Sequence, residues 1–336
     1  MKATLKDIAA RVGVTSQLVS FYLNHPETTR VARETREKID AAVKELNYAP
    51  SATARALRKG KSKTLGLVVA DLCSDSSSFF AQTLLGECSR YGYQLLIGIT
   101  HYDPEEEKRV LANLIARQTD GIFYALRLFP ADFLKSLNLQ NYPILQLSSA
   151  APEFQSMELA REEALKQCAG KLYEYGCRKV VVAHESWANI LEKELEAYGI
   201  KIVGGRYATT SDDFPYLNDT PPDAVASDSS IYARLLRARC RELGIPMPYL
   251  CYSYSLPSDF IDDPRVIAVT VSDYKTRLSG IVSRMIRMLE NPKEPVAHLK
   301  EPVRLMSLDE LREYRCAQLK DPYYEPFRIR IKYEGN

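Results

Sequence analysis

This chain has little of what staples small folds or builds metal and redox centres. Seven cysteines (73, 88, 168, 177, 240, 251 and 316) are scattered over 336 residues with no C-x-x-C pair. That pattern fits free buried thiols in a reducing compartment better than a disulfide framework or a zinc site. Four histidines (25, 101, 184 and 298) show no metal-pair spacing, and there is one tryptophan, Trp187. No apolar run approaches the about 20 residues that span a bilayer, and the N-terminus lacks the apolar core of a secretory signal. A cytoplasmic protein without membrane contact is expected. There is no G-x-x-x-x-G-K-S/T loop and no G-x-S-x-G elbow. The carboxylates Glu105, Glu106 and Glu107 open a helix, where its dipole favours them. Neither a cofactor, a metal nor an enzymatic turnover is expected.

What is present is an uneven charge. Residues 1–63 hold 13 of the 45 Lys/Arg and only 6 of the 43 Asp/Glu, leaving 32 basic and 37 acidic residues on the remainder. A basic N-terminal unit on an acidic body is the electrostatic footprint of nucleic-acid binding. A basic membrane anchor is the competing reading, but no large apolar face accompanies the charge.

The same segment carries a helical hairpin. Leu5, Ile8, Ala9 and Val12 recur at helical spacing, and Gly13 then breaks the pattern. Thr4, with Asp7 three residues on, reads as a capping box, and Thr15 as the cap of a second helix. In that helix Leu18, Val19, Tyr22 and Leu23 form an apolar stripe, leaving Ser16, Gln17, Ser20 and Phe21 on other faces. This is the layout of a helix-turn-helix, whose second helix enters the DNA major groove. A third helix is expected from about Arg33 to Leu46, after a polar turn from His25 to Arg30.

Three blocks carry a family resemblance: TLKDIAARVGVTSQLVSFYLN, then Val31 with ETREKIDAAVKELNY, then PSATARALRKGKSKTLGLV. In order and spacing, residues 4–67 resemble the headpiece and hinge of LacI-type (lactose/galactose-repressor-type) transcription factors. The resemblance implies a repressor that binds a palindromic operator as a homodimer, one recognition helix per half-site. It implies that Thr15, Ser16, Gln17, Ser20, Phe21 and Asn24 meet DNA from the recognition helix. Gln17 has the donor and acceptor that suit adenine N6 and N7. Phe21 stands where many relatives have a guanine-reading arginine, and it is open to two readings: a thymine-methyl contact or a further core residue. The stretch 51–58 matches the hinge that folds on DNA. There Ala54, Leu57 and Arg58 are implied DNA contacts, with Leu57 as a minor-groove wedge. A core role for Leu57 is the weaker reading, because Arg55, Arg58, Lys59, Lys61 and Lys63 surround it.

From Leu65 onward apolar strands alternate with amphipathic helices. Strands are expected at 65–70, 94–99, 121–124, 144–147, 179–183, 224–226, 250–252 and 266–271. Helices are expected at 79–91, 104–117, 131–137, 162–175, 187–198, 229–243 and 273–289. Such alternation implies parallel sheets covered on both faces. With the resemblance, the expected fold is an all-α helix-turn-helix headpiece (1–49), a hinge helix and linker (50–63) and a bilobed, type I periplasmic-binding-protein-like α/β effector and dimerisation domain (64–336). Lobe one takes about 64–159 plus the helix 273–289; lobe two takes about 160–270 and the stretch after Pro302. The C-terminal PFRIRIKYEGN reads as an amphipathic strand.

Ligands of parallel sheets bind at the carboxyl ends of strands. This nominates Asp71, Ser74, Phe79, His101, Arg127, Ser148, His184, Trp187, Asp228 and Tyr252 as lining for a small-molecule effector, a sugar or related metabolite. Taken singly, each has an ordinary structural explanation; as a set they line whatever cleft exists. The resemblance is weak here. Ala160-Arg161 replaces an expected Asp, HESWANILEKELEAYG stands where a serine- and arginine-containing join is expected, and Cys251-Tyr252-Ser253-Tyr254 replaces a GFDD-like turn. A DNA-binding regulator with a degenerate, ligand-free effector domain is therefore the alternative.

Overall fold

The computed structural model describes residues 3–48, 60–73, 75–125, 142–147, 154–183, 188–203, 214, 217, 221–227, 230–253, 260, 263–270, 274–307, 309–310 and 312–313. The chain divides into two compact units, Met1–Ser62 and Lys63–Asn336. The expected hinge at 51–58, the helix at 131–137 and the C-terminal strand lie outside the described residues.

The first unit contains α1 (Leu5–Val12), α2 (Ser16–Asn24) and α3 (Arg33–Glu45). Their apolar stripes converge on Ile8, Ala9, Val19, Tyr22, Val31, Ile39 and Ala42. Ile8, Val19 and Ile39 are fully buried, each contributing about 1.5–3 kcal/mol of transfer free energy. This core is small, so the helix ends and polar ties matter to it.

The second unit holds two six-stranded sheets among the described residues. The first is built from β1 (Thr64–Val69), β2 (Gln94–Ile99), β3 (Gly121–Tyr124), β4 (Ile144–Gln146), β5 (Gln155–Ala160) and β11 (His298–Pro302), in the order β11-β5-β4-β3-β1-β2. Every pairing in it is parallel. The second contains β6 (Lys179–Val182), β7 (Lys201–Ile202), β8 (Ala224–Ser227), β9 (Tyr249–Ser253), β10 (Val266–Thr270) and β12 (Arg304–Met306), in the order β12-β10-β9-β8-β6-β7. Only β12 runs antiparallel to its neighbour.

Helices cover both faces of each sheet, which is why the strands read as near-continuous apolar runs. In lobe one, α4 (Asp75–Arg90) and α9 (Tyr274–Glu290) pack Leu84, Leu278 and Met285 with Leu65, Phe123 and Leu145. On the other face α5 (Pro104–Ala116) lays Val110, Leu111 and Leu114 on Val68 and Ile122. A methyl group at Gly98 would collide with the Val110 side chain, so only glycine admits this close approach. In lobe two, α6 (Glu162–Glu174) and α7 (Ala188–Ala197) cover one face, and α8 (Ser230–Leu243) covers the other.

The expected strands are present with ends moved by at most one residue. One helix needs correction. The helix expected from residue 79 starts earlier, at Asp75, so the serine-rich stretch before Phe79 is the first turn of α4. Aspartate and serine suit a helix N-terminus because their oxygens accept from its unpaired N–H groups. Strands β5, β7, β11 and β12 were not anticipated.

The chain crosses between lobes after β5, after β10 and again after β11. The Val303 N–H donates to the Ala160 carbonyl at 3.4 Å, joining the first crossing to the third. Arg161 beside them is buried. On the lobe-one side, Arg277 of α9 donates to Glu301 of β11 at 2.7 Å.

Candidate functional site

The helix-turn-helix is set by local chemistry. The Thr4 N–H donates to Asp7 Oδ2 at 2.7 Å, and the Asp7 N–H donates to Thr4 Oγ1 at 3.4 Å. Donation from the Thr4 hydroxyl, at 2.8 Å, and from the Thr4 N–H holds the Asp7 carboxyl below its ordinary range. Helix α1 ends at Gly13, whose φ of 77° is left-handed and favours glycine; its N–H donates to the Ala9 carbonyl at 2.9 Å. Two residues later the Thr15 hydroxyl accepts the Leu18 N–H at 3.2 Å and starts α2. The turn is therefore written as glycine, then cap.

Helix α2 buries Val19 and Tyr22 and turns its opposite face outward. Thr15 and Gln17 are exposed; Ser16, Ser20 and Asn24 are half-buried. The Asn24 side-chain amide donates to the Ser20 carbonyl at 2.5 Å, so part of its hydrogen-bonding capacity is spent inside the helix. Phe21 is half-buried and packs against the headpiece core. Its ring also lies tilted against that of His25, with centroids 4.9 Å apart, and His25 Nδ1 lies 3.0 Å from the Phe21 carbonyl. Sequence reading missed this His25 contact; the i, i+4 spacing was the available signal. Of the hinge candidates, Ala54, Leu57 and Arg58 lie outside the described residues.

The strand-end candidates divide differently. Asp71 follows β1; its carboxylate accepts the Cys73 N–H at 2.8 Å and the Tyr102 hydroxyl at 3.2 Å. His101 follows β2, is exposed and has a left-handed φ of 53°, as has Tyr102 at 59°. The His101 N–H donates to the Ala70 carbonyl at 2.8 Å. The ends of β1 and β2 thus bring Asp71, His101 and Tyr102 together, and Tyr102 was not on the sequence-derived list. Phe79, on α4, is half-buried against the lobe-one core. Tyr252 lies on β9, in register with Ser227. Ser74, Arg127, Ser148, His184, Trp187 and Asp228 lie outside the described residues. Among the described residues there is no group of three or more His, Cys, Asp or Glu that could hold a metal ion, and no helix long and apolar enough to cross a membrane.

Comparison with known proteins agrees with this geometry. The family described as "Bacterial regulatory proteins, lacI family" matches residues 4–51. The sucrose operon repressor of Klebsiella pneumoniae is 42% identical over 125 residues, 37% of this chain and 37% of that protein. Catabolite control protein A of Staphylococcus aureus is 29% identical over 180 residues, 53% of this chain and 54% of that protein. The matched part therefore spans between about a third and a half of these relatives' length. In three dimensions the chain is similar to the lac repressor dimer solved with operator and the anti-inducer ONPF, with a TM-score of 0.73, 20% identity, and coverage of 91% of this chain and 98% of that one. That likeness extends the shared fold across the two-lobed unit. The likeness to the lacI family of bacterial regulatory proteins therefore rests on the helix-turn-helix segment, residues 4–51.

Proposed function

We propose that the chain is a sequence-specific DNA-binding transcriptional repressor that binds a palindromic operator as a homodimer. The single observation that carries this reading is the outward face of α2. The glycine turn and the Thr15 cap present Ser16 and Gln17 at the start of a helix whose back is anchored in the core. Base edges are read by side chains at that end of a recognition helix, while phosphate contacts fix position. Thr15, Ser20 and Asn24 fill the phosphate-contact role; Gln17 reads adenine and Phe21 meets a thymine methyl. Ala54, Leu57 and Arg58 belong to the hinge at the operator centre. Selection of bound sequences from a random duplex pool tests the proposal. Enrichment of an inverted repeat supports it, and recovery of unenriched DNA overturns it.

The second part of the proposal is a small-molecule effector, a sugar or related metabolite, held between the lobes of residues 64–336. Asp71 and His101 at neighbouring strand ends support it, with Tyr102 on the Asp71 carboxylate. An effector acts only through unequal affinity for the DNA-competent state. One observation favours the ligand-free alternative: Ala160 and Arg161 occupy a lobe crossing, with Ala160 bonded to Val303 and Arg161 buried. A thermal-shift screen against sugars, sugar phosphates, nucleobases and organic acids separates the two. A ligand of the native state raises the midpoint by mass action. A hit that also changes operator affinity supports the effector reading; a flat screen from DNA-binding protein supports the alternative.

A further inference from the structure

Two cysteines 83 positions apart meet inside lobe two. Cys168 lies on α6 and Cys251 in the middle of β9, and their Sγ atoms are 2.8 Å apart. Both side chains are fully buried, in an apolar layer that includes Leu165, Leu172, Val182 and Ala226. A disulfide bond is about 2.05 Å long, so a small movement of either side chain closes the gap. Spacing in the sequence gives no hint of this pair.

We propose that Cys168 and Cys251 are a reversible oxidation site that forms a disulfide within lobe two, with a peroxide as oxidant. One sulfur, as thiolate, attacks a peroxide oxygen; an S–O bond forms, the O–O bond breaks, and the leaving hydroxide takes the released proton as water. The second sulfur, losing its proton, attacks the resulting sulfenic acid. The S–S bond forms, the S–O bond breaks, and a second water leaves. Two thiols are oxidised and one peroxide is reduced to two waters. The hydrogen bond to Cys251 and burial push the Cys168 thiol well up, so thiolate is scarce at neutral pH and the oxidation accelerates as pH rises. Closure ties α6, which starts at the Ala160–Arg161 crossing, to the strand that carries Tyr252, and it closes a long loop in the unfolded chain.

The test uses the full chain with the exposed Cys73 replaced (Cys73→Ser), so that links between molecules through that thiol do not confuse the result. The reduced protein is treated with hydrogen peroxide, quenched and unfolded in acid, alkylated, and mapped by mass spectrometry. The expected result is loss of two hydrogens, alkylation of every remaining cysteine except 168 and 251, and one linked peptide pair holding those two. Dithiothreitol reverses it, and the oxidised form unfolds at a higher temperature. Full alkylation of both cysteines after treatment, or a link between any other pair, overturns the proposal. The mapping needs no change at either buried position, so a variant that fails to fold does not obscure the outcome.

Discussion

Tyr22 on α2 donates its hydroxyl to Asp40 Oδ2 on α3 at 2.7 Å. Tyr22 is buried, while Asp40 is exposed at the rim. The bond locks the helix proposed to read DNA against the helix that supports it. It also raises the Tyr22 phenol above its ordinary range, keeping it protonated. Replacing Tyr22 by Phe keeps the ring and removes the bond. The expected loss is about 1 kcal/mol, since Asp40 stays in reach of water. Thermal unfolding of the Tyr22→Phe chain measures it, and an unchanged headpiece transition would show that the bond contributes nothing net.

Gln17 is the residue proposed to read adenine. Gln17→Ala is expected to lose about 1–3 kcal/mol of discrimination, seen as weaker binding to the selected operator with binding to random duplex unchanged. Titrations against both duplexes at one salt concentration decide it. Equal losses on the two would make Gln17 a backbone contact.

The capping box gives the headpiece an acid limit. Asp7 has a folded-state value below its ordinary 3.8 because Thr4 donates to it twice. Its contribution is therefore complete above the unfolded value and is lost as pH falls through the lower folded one. The stability gap between the natural chain and Asp7→Asn should be constant at neutral pH and shrink below about pH 4. A gap that persists undiminished at lower pH would contradict the assignment.

Lobe one depends on a buried polar junction at Gln155. Its Oε1 accepts from Arg284 Nη2 at 2.6 Å and from the Ala297 N–H at 2.9 Å, while its Nε2 donates to the Pro295 carbonyl at 3.0 Å. Arg284 also donates to Glu294 at 2.8 Å. Gln155→Ala strands a buried guanidinium nitrogen and a backbone N–H together. The expected cost is about 3 kcal/mol, read as a lower urea midpoint with an unchanged slope. A loss below about 1 kcal/mol would mean that water replaces the amide.

Legibility in the sequence followed the range of the interactions. Helices α1 and α2, their glycine turn and both threonine caps are local, and each was readable within a few residues. The same is true of strands such as β1 and β8, whose apolar runs declare burial on both faces. Strand β11, His298–Pro302, declares nothing: it is mostly exposed, carries Lys300 and Glu301, and ends in proline. It is a strand because β5 offers it a parallel partner. Strand β5 itself, QSMELA, is too polar to announce itself, and its Gln155 and Ser156 are buried with tertiary partners, Arg284 and His298.

The sequence by itself determined the basic helix-turn-helix, its caps and the α/β alternation, because periodicity, capping and charge act over short spans. Tertiary structure alone decided that His298–Pro302 returns to lobe one, that Tyr102 bonds Asp71, and that Cys168 meets Cys251. Those pairings join positions far apart in the chain, and only the packing of whole sheets and helices brings their atoms within bonding distance.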